Sequence, residues 1–243
     1  MRHARTPKWR GVAAKTGIAA CSLLLAAWTP GPPHVPAKGP DSPHIQWAMP
    51  TADVLIDAGH GGIDGGTHWG NIMEKDINLA ISRKLYLILR DREIKAVVNR
   101  TGDYALSDDN RWQRASRHQR DLSQRGSMSG SIHAKLFVSI HVNWAPGNSR
   151  THGPLVIHQK EGRSALLAAL IQDSLNRQQG TRARPASTGK YYVLRAVKVP
   201  SVIVETAFLS NAGDRAMLTT PRGQSRIAAA IADGIMAYRV FDP

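Results

Sequence analysis

The sequence holds one cysteine, Cys21, among its 243 residues. No intrachain disulfide can form. Thiolate ligation of a metal is excluded from the body of the chain, so any metal there must be held by His, Asp or Glu. Long apolar runs are missing as well. The apolar stretch at 18–28 (IAACSLLLAAW) is shorter than the roughly 20 residues that a membrane-spanning helix needs. Acidic residues are scarce: Lys and Arg number 32 against 18 Asp and Glu, a formal net charge of +14. Five of the basic residues (Arg2, Arg5, Lys8, Arg10 and Lys15) fall in the first fifteen positions, which hold no acid. From Pro43 onward 26 basic residues still face 17 acidic ones. Such a balance suits a polyanionic partner, whether nucleic acid, acidic lipid or an anionic wall, and charge alone does not choose among them.

The organisation along the chain narrows the choice. A basic start followed by a short apolar run, residues 1–28, has the order of a secretory signal. Cleavage after Ala27 or retention as an anchor both fit it, and membrane contact is expected only through this segment. Residues 29–50 carry seven prolines and read as an extended linker. A folded domain is expected over residues 51–243, where hydrophobic content is high enough for a sizeable core. There, strand-like segments at 54–57, 95–99, 136–141, 153–158, 191–195 and 201–205 alternate with helical periodicity at 75–92, 164–178 and 221–238. Residues 101–131 read as loop plus helix. The alternation predicts a single α/β domain with a mostly parallel twisted sheet flanked by helices.

Three of these strands end in a polar residue beside a turn, where ligands gather in parallel sheets. VLIDAGHGG delivers His60, LFVSIHVN delivers His141 and SVIVETAF delivers Glu205. Glu74 opens the first helix in NIMEKDIN. Two histidines and one carboxylate form a common catalytic zinc set, and the remaining carboxylate would then serve as general base. Zinc lowers the pKa of water and polarises a carbonyl, which amide hydrolysis requires.

The segments IDAGHGGIDGG, EKDINLAISRKL, LFVSIHVN and PSVIVETAFLSN, in that order, resemble the zinc-dependent N-acetylmuramoyl-L-alanine amidases of the type 3 amidase family. The resemblance spans about residues 52–240. It implies one Zn2+ ion held by His60, Glu74 and His141, Glu205 as catalytic glutamate, peptidoglycan as partner, and cleavage between N-acetylmuramic acid and L-alanine. RDLSQR, KYYVLRAVKVPSVIVE and AFLSN are similar to the sporulation and germination branch, which acts on spore cortex. Two departures stand out. Ser129 and Gly130 occupy positions where the family commonly has Ala-Asn, and Ala207 stands where it favours Gly. They bear on helix packing, not on the metal ligands.

Other residues take more modest readings. Asn143, two residues past His141, and Arg125 are candidates for substrate binding. Arg125 could equally be solvated. Asp57 reads as a turn former or as an orienting group behind a ligand. Tyr191, Tyr192 and Leu194 shape a peptide groove or pack in the core. His68, His118, His133, His152 and His158 have no partner at metal spacing. Three rivals remain: a zinc peptidase acting on the stem peptide, a silent wall-binding or regulatory module, and a nucleic-acid binder. The export signal and the lack of a basic recognition motif argue against the last. With no separate wall-binding repeat, the sequence is compatible with an activating protein partner.

Overall fold

The computed structural model describes residues 50–107, 116–187 and 190–242. The targeting segment, nearly all of the linker and residues 108–115, within the stretch expected as loop plus helix, therefore lie outside the described residues. No helix among the described residues is long and apolar enough to cross a membrane.

The sheet begins with β1 (Ala52–Ala58), followed by a small hairpin of β2 (His68–Trp69) and β3 (Ile72–Met73). Then come α1 (Glu74–Asp91), β4 (Ala96–Val98), α2 (Arg117–Ser131), β5 (Ala134–Asn143) and β6 (Leu155–His158). The chain continues through α3 (Gly162–Gln179), β7 (Ala186–Ser187), α4 (Tyr192–Ala196), β8 (Ser201–Phe208), α5 (Ala212–Leu218) and α6 (Pro221–Arg239). The six-stranded sheet has the order β4-β1-β5-β8-β6-β7, and only the β6–β8 pair is antiparallel. The expected mostly parallel α/β sheet is what forms.

Its central strands are apolar almost throughout because helices cover both faces. Val54, Ile56, Val138, Ile140 and Val204 pack on one face with Ile77, Ile81, Leu85 and Leu89 of α1 and with α3 and α6. Leu55, Phe137 and Ile203 point to the opposite face, where α4 and its flank supply Val193, Leu194 and Val197. The fourfold spacing of the buried α1 residues gives that helix one apolar stripe.

Residues 191–195, expected as a strand, form the short helix α4 instead. Val193, Leu194 and Val197 are buried together, a spacing that a helix satisfies and a two-residue alternation does not. Tertiary packing overrides the β propensity of the tyrosines and valine. Close approach to α2 fixes the arrangement: a Cβ on Gly126 would stand 2.6 Å from Cβ of Ala196. The residues at 129 and 130 are accommodated without a clash: the Ser129 hydroxyl donates to Gly126 O and Gly130 faces open space.

Strand order reverses beside β1. The chain leaves β1 through α1 to reach β4 at the edge, then crosses through α2 to β5 on the other side of β1. The carboxyl ends of β1 and β5 thus lie side by side, the usual ligand position in such sheets.

Candidate metal centre

His60 sits two residues beyond β1 with φ of +60°, a left-handed conformation unusual for a non-glycine residue. The turn around it is held by buried cations. Arg125 Nη2 donates to His60 O at 2.8 Å and Nη1 to Ala58 O at 3.0 Å. Arg100, itself fully buried, donates to Ala58 O, Gly59 O, Gly102 O and Lys75 O. It ties the end of β1, which carries His60, to the first turn of α1, which carries Glu74.

Glu74 opens α1 without a side-chain cap before it. The first orphan amides of the helix are satisfied by the preceding loop, Glu74 N donating to Thr67 O and Lys75 N to Gly65 O. The helix dipole favours a carboxylate at this end. Glu74 Oε1 lies 3.0 Å from His141 Nδ1 and 3.3 Å from His60 Nε2, and it accepts from Val142 N and Asn78 Nδ2. Its Oε2 accepts from Thr67 N at 2.8 Å. His141 comes from β5, and its ring meets that of His60 edge-on with centroids 5.0 Å apart.

One donor atom from each of His60, Glu74 and His141 lies within 4.8 Å of the others, and this is the one such cluster among the described residues. The donor set is chemically suited to a borderline divalent ion such as zinc. Space around it is reserved by glycines. A Cβ on Gly66 would lie 2.5 Å from Glu74 Oε2 and 2.7 Å from His60 Cδ2, so any larger residue would enter the cluster.

The charge balance at His60 and Glu74 favours a cation at this site. Burial works against a charged His60, but Asp64, with Oδ2 3.0 Å from Nδ1, and Glu74 reverse this and raise its pKa to about 10. The bond to His60 pulls Asp64 down to about 2. Burial would raise Glu74, yet its contacts with His141 and His60 hold it far below the ordinary carboxylate range.

Glu205 occupies the register position beside His141 on the neighbouring strand β8. Burial raises its carboxyl to about 7; Glu74 adds to that effect, and the charges of His141 and His60 oppose it. Its Oε2 is buried with no hydrogen-bond partner among the described residues. A buried oxygen in that state is costly unless something else occupies the site. Next to it, Thr206 Oγ1 donates to His141 O and fixes the strand end.

The remaining candidates separate. Arg125 is neither solvated nor free for substrate: it is buried, with Nη1 2.7 Å from Asp57 Oδ1 and Nε 2.6 Å from Asp121 Oδ2. It supports the backbone of His60. Asp57 is not a turn former but the buried counter-ion of Arg125. Burial would raise its pKa, and Arg125 together with the Ser139 hydroxyl lowers it below the usual range. Asn143 uses its side-chain oxygen to accept from Trp144 N, while its amide nitrogen makes no hydrogen bond among the described residues. Tyr191 and Tyr192 are about half exposed and Leu194 is buried, so the tyrosines are surface groups and the leucine is core. His68, His133 and His152 are exposed and His158 is half-buried; none joins the cluster. His118 comes no nearer than 3.9 Å to Asp64.

Sequence reasoning missed Asp64, Asn78 and Arg100. Asn78, one turn after Glu74, carried a usable signal, since residues four apart share a helix face. Arg100 carried none, because a lone arginine after a strand is normally solvated.

The profile of the family described as N-acetylmuramoyl-L-alanine amidase matches residues 54–237. The germination-specific N-acetylmuramoyl-L-alanine amidase of Bacillus subtilis (strain 168) is 29% identical over 195 residues, covering 79% of this chain and 82% of the relative. The solved CwlD amidase of Clostridioides difficile, in complex with the GerS lipoprotein, is similar with a TM-score of 0.74 and 31% identity, over 79% of this chain and all of that one. A second solved N-acetylmuramoyl-L-alanine amidase, from Clostridium difficile 630, is similar with a TM-score of 0.70 and 27% identity, over 79% of this chain and 99% of that one.

Proposed function

The chain belongs to the N-acetylmuramoyl-L-alanine amidase family, and we propose that it hydrolyses its amide with one zinc ion held by His60, Glu74 and His141 and with Glu205 as general base. One observation carries this reading: three metal-donor atoms gather within 4.8 Å beside a buried carboxyl oxygen that no described residue satisfies. The bond cut joins the lactyl group of N-acetylmuramic acid to L-alanine in peptidoglycan.

Zinc, when bound, supplies Lewis acidity, polarising the carbonyl and lowering the pKa of water to about 7. The protein's own residues do the rest. Glu74, anchored by Val142 N–H and Asn78, keeps both imidazoles oriented toward one point, and Asp64 orients His60 from behind. Glu205 takes a proton from the attacking water and passes it to the departing amine nitrogen. A cation on the three donors favours the ionised form of Glu205 that this step needs. The free amide nitrogen of Asn143 donates to the substrate next to His141.

The similarity to a germination-specific relative supports action on spore cortex. The basic and apolar residues 1–28 support export to the envelope, as signal or anchor, with residues 29–50 as tether and 51–243 as catalytic domain. The GerS complex of the CwlD relative supports an activating protein partner here too.

Digestion of purified vegetative and cortex peptidoglycan, with and without zinc, tests the reading by mass analysis of the products. Zinc-dependent release of peptides beginning with L-alanine, abolished by Glu205→Ala, is the expected result. Cuts within the stem peptide would overturn the proposed specificity, and equal activity after chelation would overturn the zinc site.

A further inference from the structure

Each of the three segments that deliver Glu74, His141 and Glu205 also delivers a second group to the same end of the sheet. The hairpin just before Glu74 presents Trp69, 46% exposed. The turn after β5 presents Trp144, three residues past His141, its ring 6.1 Å from that of Trp69 and tilted by 44°. The helix after β8 presents Arg215, whose guanidinium carbon lies 4.0 Å above the Trp69 ring. Arg215 Nη1 donates to Leu209 O at 2.8 Å, and Leu209 N donates to Asn143 O. Backbone bonds therefore link this cation to the strand that carries His141. Among the described residues, no carboxylate pairs with Arg215 and the Leu209 carbonyl is the one hydrogen-bond acceptor of its guanidinium.

A guanidinium stacked on an indole face and pinned by one carbonyl has lost most of its rotamer freedom in advance, while its remaining N–H groups stay available. That is the preorganised form in which arginine binds a carboxylate as a planar fork. We propose that Trp69, Trp144 and Arg215 form a subsite for a carboxylate of the acidic stem peptide, on the L-alanine side of the scissile bond. The inference rests on the amidase reading above. The chemistry of the substrate selects the peptide over the glycan. Once the lactyl carboxyl is tied up in the amide, the sugars at the cleavage point carry no anion, whereas the peptide keeps free carboxylates. The Trp69 ring covers one face of the cation with apolar surface, and Trp144 stands beside that ring, which lowers local hydration and strengthens the contact.

Two soluble muramoyl-peptides that differ only in a free carboxylate or its carboxamide test this. The full chain is expected to favour the free acid by about tenfold or more in kcat/KM, the value of a charge-assisted hydrogen bond. Arg215→Gln and Trp69→Ala should bring the ratio close to one, with the greater loss on the acid substrate, whereas Trp69→Phe should keep most of the preference. An unchanged ratio in Arg215→Gln, or equal losses on both substrates at normal zinc content and thermal stability, would overturn the subsite. Calorimetric binding of the two free peptides to the full chain gives the same comparison without catalysis. A preference for the acid that Arg215→Gln abolishes upholds the subsite even if the amidase reading fails; no preference overturns it.

Discussion

Gly59 lies directly against His141. A Cβ on it would stand 2.4 Å from both Cε1 and Nε2 of the imidazole and 2.8 Å from Ile140 O. The strand end of β1 thus sets the ring position of a residue on β5. Gly59→Ala must displace His141, because the neighbouring backbone carbonyl leaves the methyl no other direction. Zinc affinity, measured by competition with a chromophoric chelator, is expected to fall about 10- to 100-fold, the usual effect of disturbing support behind a ligand. Unaltered affinity would show that the ring moves aside freely.

Glu205 links activity to pH-dependent stability. In the metal-free protein its carboxyl is raised from 4.5 to about 7, chiefly by burial. Between those values the folded chain keeps a proton that the unfolded chain has lost. The stability of the neutral form is therefore present at low pH and lost as pH rises through about 7. Glu205→Gln, neutral at every pH, is expected to stabilise the metal-free protein by about 2–3 kcal/mol at pH 8 and to leave it unchanged at pH 4. Urea titrations at the two pH values read this difference. The same substitution should lower kcat about 100-fold or more through loss of the base.

Metal binding should release protons. His60 is raised to about 10 by Asp64 and Glu74 against the effect of burial, so at neutral pH the metal-free ring holds a proton that a metal must displace. Zinc affinity is expected to rise with pH, by up to about tenfold per unit for one proton. Calorimetry in buffers of different ionisation enthalpy counts the protons released. Chelation, in turn, should lower the thermal midpoint, since a ligand that binds only the folded state stabilises it.

Arg125 and Asp57 form a buried ion pair at 2.7 Å, with side-chain exposures of 4% and 1%. Arg125→Met leaves both Asp57 and Asp121 without their cation. It is expected to cost about 3–5 kcal/mol of unfolding free energy. Adding Asp57→Asn should recover part of that loss, because the uncompensated charge goes with it. Additive losses in the double variant would show that the pair is not the unit of stability.

Much of the centre was legible in the chain because the sheet writes it there. His60, His141 and Glu205 each follow an apolar run and precede a turn, so strand periodicity alone aims them at one end of a parallel sheet. Arg125 was not legible. Its position in a polar, Arg-rich stretch gives no sign that Asp57 and Asp121 wait to bury it. The strand expected at 191–195 failed for the same kind of reason: burial of Val193, Leu194 and Val197 against α2 and the sheet, not local propensity, decides the helix.

The chemical inventory therefore came from the sequence by itself. A body without cysteine left only His, Asp and Glu as metal donors, and the strand-end motifs, with the family resemblance for Glu74 at a helix start, said which of them to expect together. The tertiary structure alone decided how they are held. Strand order reverses at β1, so His60 and His141 arrive from adjacent strands. Glu74 is anchored by amides from two other segments. Two buried arginines, most of whose partners are carbonyls and carboxylates far away in sequence, lock the turn that carries His60. Those contacts depend on which strands are neighbours, and no local pattern in a chain records that.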